Sequence, residues 1–253
     1  MRQPFFSALL LSAACLGSLG ALSAPLAAGE LLIPLTAGVA PDGTAYATRV
    51  WITNTGTVER RWTSAFVAPG SDGTKVPGKS ITVAPGATVL ATNLSPAGQS
   101  GLLFVSGAPQ LLTTARQEAV AKNGALRAAS AGPLVTGHEL APARGSLHLH
   151  GLSNKQGGLI TDLSLVNASR QPTQCTVDAF RDNGSRIGAA IRITLPPLSA
   201  RVFEKALTAF GATSIDEARL AVSCDQPFYT YARVYKPGSG ELNVVTPSQA
   251  LGS

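Results

Sequence analysis

Charge is the scarcest commodity of this chain. Asp, Glu, Lys and Arg make up 13% of its 253 residues, about half the share of an average soluble domain. Aromatic residues reach only 6%, with 2 Trp, and there are 3 His, 3 Cys and 1 Met. Three histidines leave little material for a metal centre or a base–nucleophile array. Apart from Arg60-Arg61 there is no run of basic residues, so the electrostatic footprint of specific nucleic-acid binding is missing. Beyond the N-terminal segment no stretch is long and apolar enough to cross a membrane as a helix. What is abundant points elsewhere. Apolar residues are 45% of the chain, which excludes a disordered polymer. The 26 Gly and 17 Pro between scattered Val, Ile, Leu and Thr favour many short strands over long helices.

The N-terminus reads as an export signal. Met1-Arg2-Gln3 supplies a positive start, and Phe5 to Leu22 carries no charge. Small residues follow, as a signal-peptidase site requires. Cleavage after Ser23, with Ala21 at −3, fits, and so do sites near Ala27 or Ala28. The polar and small residues Ser7, Ser12, Gly17, Ser18 and Gly20 argue against a membrane anchor, and no basic stop-transfer cluster follows. Cys15 as a lipid-anchoring site is the alternative, although Ser12 stands where a lipoprotein signal needs an aliphatic residue. Past the leader the charge divides as +2 over 29–143 (8 basic, 6 acidic) and +3 over 144–253 (11 basic, 8 acidic). That spread is enough only for long-range attraction to anionic envelope polymers.

The rest of the chain repeats itself. Thr48-Arg-Val-Trp-Ile-Thr-Asn54 matches Thr161-Asp-Leu-Ser-Leu-Val-Asn167. Ala65-Phe66 matches Ala179-Phe180, each followed by a Gly-containing turn. Ile81-Thr-Val-Ala-Pro85 matches Ile193-Thr-Leu-Pro-Pro197, and Val105 to Arg116 matches Val222 to Arg233. Four ordered matches at nearly constant spacing mean tandem units. The division expected is a signal peptide over 1–28, a β-sandwich over 29–126, a linker over 127–143 and a second β-sandwich over 144–253. Pro133-Leu134-Val135 is placed as a segment that closes the first unit. In the second unit seven strands are expected, near 146–151, 159–167, 174–181, 187–195, 200–206, 218–224 and 227–235. Period-two alternation in Leu163/Leu165, Ile191/Ile193/Leu195 and Leu220/Val222 sets the buried face. Turns every 8–12 residues in units of about 100 residues indicate an all-β fold of two immunoglobulin-like sandwiches. Ala206–Glu217 is the one helix candidate, with Ser214–Glu217 as its cap.

Cys175 then starts the third strand of the second unit and Cys224 ends the sixth. These strands are antiparallel neighbours in that architecture, so a Cys175–Cys224 disulfide is predicted, as an oxidising compartment allows. The first unit has Arg61 and Gly107 at the aligned positions and must hold without the bond.

The run Ala218 to Lys236, containing Ser223-Cys224-Asp225-Gln226-Pro227 and Ala232-Arg233-Val234-Tyr235, resembles the last strand pair of tandem immunoglobulin-like modules of exported bacterial proteins. Leu163–Asn167 and Val83–Gly86 match further pieces of the pattern. The resemblance spans the chain after the leader and implies a fold without assigning site residues; Leu111–Arg116, the corresponding strand of the first unit, lacks the tyrosines. A looser resemblance links the chain to periplasmic pilus-assembly chaperones, through its size, basic charge and Thr48-Arg49-Val50.

Few constellations carry chemistry. His148 and His150 share one face of a strand, but a metal needs a further ligand, and the only other histidine, His138, lies in the linker; no metal or other cofactor is expected. There is no Gly-x-Ser-x-Gly, and Ser100 sits in a Gly-rich loop. Asp42, Asp72, Asp182, Asp216 and Glu217 are placed mostly in turns, and Asp182-Asn183-Gly184 reads as a β-turn rather than a calcium loop. Tyr229, Tyr231 and Tyr235 alternate on the last strand. They form either an exposed platform for a sugar or peptide, or the sandwich core with Phe228, Thr230 and Ala232 outward. Trp51 or its neighbours Val50 and Ile52 face out. The expectation is a non-enzymatic binding or structural protein, periplasmic or secreted, whose partner is a protein or an envelope polysaccharide. An assembly chaperone and a carbohydrate-binding module are the alternatives.

Overall fold

The computed structural model describes residues 26–249 apart from 40–42, 97, 238 and 240. Residues 1–25, which hold Cys15 and most of the expected signal peptide, and Asp42 lie outside the described residues. Eighteen strands follow in order: β1 Glu30–Leu35, β2 Ala37–Val39, β3 Ala45–Asn54, β4 Arg60–Val67, β5 Lys79–Val83, β6 Thr88–Ala91, β7 Gly101–Gly107, β8 Leu111–Val120 and β9 Leu126–Ala131 in the first half, then β10 Ser146–Asn154, β11 Ile160–Asn167, β12 Thr173–Phe180, β13 Arg186–Leu195, β14 Ala200–Phe203, β15 Ile215–Cys224, β16 Phe228–Tyr235, β17 Leu242–Val245 and β18 Ser248–Gln249 in the second. Helical turns occur only as short 3-10 pieces at Gly73–Lys75 and Ala206–Phe210 among the described residues. No described helix is long and apolar enough to cross a membrane.

The strands form four antiparallel sheets. In the first half β1-β7-β4-β5 faces β2-β3-β8-β9, with β6 on β3; in the second, β14-β11-β16-β17 faces β13-β12-β15-β10-β18. Ile33, Leu103, Val105 and Trp62 from one sheet of the first half meet Val50, Ile52 and Ala115 from the other in one apolar cluster. Val50 and Ile52 are fully buried, so period-two alternation turns Trp51 outward, where the Arg116 guanidinium lies 5.2 Å from its ring centre.

Cys175 pairs directly with Cys224 across β12 and β15, and the two form a disulfide. The first half solves the same position differently. There Trp62, not Arg61, stands opposite Gly107, a slip of one residue from the sequence alignment. The slip matters because adjacent strand residues face opposite ways: Arg61 is exposed, while Trp62 is buried and its Nε1–H donates to Thr113 Oγ1 of the opposing sheet at 3.2 Å.

Two further expectations change. Residues 127–131, placed in the linker, continue β9, which pairs with β8. Val135 does meet the first half, bridging to Leu32, and Ala141 bridges to Phe228 of the second. The helix candidate Ala206–Glu217 is one 3-10 turn, and Ile215–Glu217 instead open β15. Ile215 is buried between exposed neighbours, so its burial in the core, rather than capping, decides its conformation.

The halves are packed on each other. One apolar cluster takes Leu32, Val67 and Leu102 of the first half together with Tyr229, Tyr231, Leu165 and Val166 of the second. Gly70 and Gly73 donate backbone hydrogen bonds to the Ala200 and Pro197 carbonyls. Gly73 has no room for a side chain, since a Cβ there would sit 2.3 Å from the Leu198 carbonyl oxygen. Glu30 and Arg170 form an ion pair at 3.1 Å across the same joint.

Candidate functional site

The tyrosine row comes from β16, which pairs with β11 so that Tyr229, Tyr231 and Tyr235 stand beside Val166, Ser164 and Ile160. Alternation places Phe228, Thr230 and Ala232 on the other face, against the second sheet of their own half. Neither arrangement expected for the row is found. Tyr229 and Tyr231 are 5% and 2% exposed and face the first half of the chain, so they are not a solvent platform, and they do not line the sandwich core. Tyr229 and Tyr231 stack with ring centres 6.5 Å apart. The Tyr231 hydroxyl sits among Ser164, Thr36 and Gln117, and burial raises the pKa of Tyr231 and of Tyr229 above the ordinary phenol value.

Where the two halves part, a cleft of about 450 Å³ opens, lined by Val39, Tyr46, Asp162, Lys205, Arg233 and Tyr235 among others. Tyr46 and Tyr235 meet edge to face, ring centres 6.1 Å apart. Burial and the neighbouring Asp162 push the Tyr235 hydroxyl up to about 12. Asp162 is 2% exposed. Its Oδ2 accepts from Arg233 at 2.7 Å and its Oδ1 from the Lys205 backbone N–H at 2.9 Å. That second bond holds Lys205 in the left-handed region, at φ 50°, which a non-glycine residue enters at a cost. A carboxylate held at both oxygens fixes the cleft wall, tying the Arg233 side chain to the Lys205 backbone. Asp162 was missed in the sequence; its only signal was its place on the same strand face as Ser164 and Val166, where a charge must find a partner.

Strand β2 borders this cleft and is the edge of its sheet. Both polar groups of Ala37 are taken by the Ser100 hydroxyl, which donates to the carbonyl and accepts from the N–H, each at 2.9 Å. A three-residue edge capped in this way offers little for strand addition. Ser100 is therefore an edge cap in the structure, where the sequence shows only a Gly-rich loop.

His148 and His150 lie on the outer face of the five-stranded sheet, ring centres 6.3 Å apart. Arg219 approaches His148 Nδ1 at 3.0 Å; a guanidinium only donates, so Nδ1 accepts and the ring proton sits on Nε2. His138 is exposed at the other end of the chain's turn into the second half. Among the described residues no group of three His, Cys, Asp or Glu is arranged to hold a metal ion. Asp182-Asn183-Gly184 is a turn in which Asn183 Oδ1 accepts from the Ser185 N–H and hydroxyl.

Desolvation, then Arg219 and His150, lower the pKa of His148 from 6.5. The unfolded chain therefore takes up this proton first as pH falls. Stability from this group is complete above the unfolded value and is lost as pH drops through it towards the folded value. Melting curves between pH 8 and pH 5 should show this loss, and His148→Gln, which does not titrate, should flatten the acid limb. An unchanged limb in the variant would assign the loss to other groups.

Outside the interface, Glu118 is 3% exposed and ion-paired to both Arg49, at 2.8 Å, and Arg116. Comparison with protein-family models finds no match, and comparison with curated proteins finds none either.

Proposed function

We propose that this chain is an exported, non-enzymatic binding or structural protein of the bacterial envelope or extracellular matrix, made of two tandem immunoglobulin-like sandwiches behind a cleaved signal peptide. The observation that carries the reading is the joint. Aromatic surface that a flexible two-module binder would present to a ligand is spent instead on fusing the halves, with Tyr229 and Tyr231 buried against the first half. The product is a set of four β-sheets joined through a shared apolar cluster, whose outer faces remain for contact. The Cys175–Cys224 bond supports an oxidising, extracytoplasmic setting. The chaperone alternative draws support from the β2 edge in the cleft, but the Ser100 cap favours the first reading.

The test is fractionation of a bacterial culture that expresses the full chain. The expected product lies outside the cytoplasm, starts between Ala24 and Gly29, has no free thiol and co-sediments with envelope or matrix material. A cytoplasmic, full-length, reduced product would overturn the reading.

A further inference from the structure

We propose that the outer face of the β13-β12-β15-β10-β18 sheet binds a carboxylated polysaccharide, a proposal that rests on the extracytoplasmic reading above. Arg186, Phe180, Arg219 and His148 stand on four successive strands of that sheet. The Arg186 and Arg219 guanidinium carbons lie 5.9 Å and 4.2 Å from the centre of the Phe180 ring, and Arg219 donates to His148 at 3.0 Å. At a strand spacing of about 4.8 Å the stripe runs for about 15 Å across the sheet. Arg192, opposite Thr176 in the register, adds a third guanidinium to the same face.

Three features select the ligand. The guanidinium fork matches a carboxylate with two parallel hydrogen bonds, and stacking on Phe180 together with the bond to His148 orders Arg219 before any ligand arrives. Thr176, Ser223 and Ser146 continue across the sheet the row that Arg192 begins, beside the Arg186–Phe180–Arg219 row, and supply short hydroxyls suited to sugar hydroxyls. Three carboxylates stand on these strands against three arginines, but Asp178 pairs with Arg186 at 2.9 Å and Asp216 with Lys155 at 2.8 Å. Among the described residues Arg219 and Arg192 therefore keep their charge free of a carboxylate partner, and Glu217 stands apart at the bulged start of β15. Nucleic acid fits less well. Phe180 lies under two guanidiniums and has little open ring for a base to stack on, and three separated arginines fall short of the phosphate neutralisation that such binding uses.

The experiment is affinity electrophoresis of the mature protein through gels containing polygalacturonate, with dextran as the uncharged control. Polygalacturonate should retard the protein and dextran should not. Arg186→Ala/Arg219→Ala should weaken retardation roughly tenfold or more. Arg61→Ala/Lys79→Ala, which removes the same charge from exposed positions of the first half, should stay within about twofold of the parent. Thr176→Glu, a change at a half-exposed position that leaves both arginines in place, should also abolish retardation, and it keeps the test valid if the double variant melts early. Absence of retardation, or equal loss in both double variants, overturns the proposal. So does equal capture by a single-stranded oligonucleotide or by phosphatidylglycerol vesicles with the same dependence on Arg219, since the face would then serve any polyanion. A protein recovered outside the cytoplasm that ignores polygalacturonate sinks this inference alone; cytoplasmic retention sinks the reading beneath it.

Discussion

Trp62→Ala should cost about 3–5 kcal/mol of unfolding free energy, the largest loss expected from one substitution in the first half. The indole is 1% exposed, packs between two sheets, and carries the only polar atom of the side chain to Thr113 at 3.2 Å. Truncation removes the apolar area, leaves a cavity among Ile33, Val50 and Val105, and strands the Thr113 hydroxyl. In a protein of this size the melting temperature should fall by about 10 °C. Chemical unfolding followed by far-ultraviolet circular dichroism checks it, with Trp62→Phe as the milder comparison. A loss below about 1 kcal/mol would show that the first half does not depend on this residue and that the pairing with Gly107 is not its counterpart to a staple.

Removing the disulfide should cost about as much by another route. Cys175 and Cys224 are 49 residues apart, and closing a loop of that size withholds about 4 kcal/mol of chain entropy from the unfolded state. Cys175→Ala/Cys224→Ala should therefore lower the unfolding midpoint strongly while the native circular dichroism spectrum stays the same, because both residues sit in a ladder that survives without the bond. Reduction of the parent protein should reproduce the loss; the double variant should be indifferent to reductant. A parent that melts at the same temperature with and without reductant would mean that the bond does not restrain the unfolded chain. The two predictions also separate the halves. Trp62→Ala acts through the native core and Cys175→Ala/Cys224→Ala through the unfolded ensemble. Since one apolar cluster spans the joint, each should nonetheless shift a single cooperative transition.

Much of the second half was legible from period-two alternation. Leu220/Val222 mark β15, which buries one face, and Leu163/Leu165 mark β11, whose polar residues Asp162 and Ser164 are buried as well because its second face is also covered. The Cys175–Cys224 pairing followed from strand order and was found in register. β16 was legible as a strand but not in its orientation. Phe228 to Ala232 is buried on both faces, one by its own half and one by the other, so the alternation that normally separates inside from outside vanishes. That is why the tyrosine row supported two readings, neither of which is the arrangement found. The slip from Arg61 to Trp62 has a similar origin: an alignment by small motifs tolerates a one-residue error, whereas a pleated strand turns that error into the opposite face.

The order of apolar and polar residues, the turn-forming Gly and Pro and the placement of two cysteines were sufficient for an all-β chain with a bridged strand pair, because those features act over a few residues or within one sheet. Which tyrosine face is covered, which serine caps the β2 edge, and which arginines align across four strands depend on residues more than 60 positions apart, as with Ala37 and Ser100 or His148 and Arg219. No local pattern carries such contacts. They exist only once the sheets have stacked and the burial of one half against the other has decided which side chains remain in water.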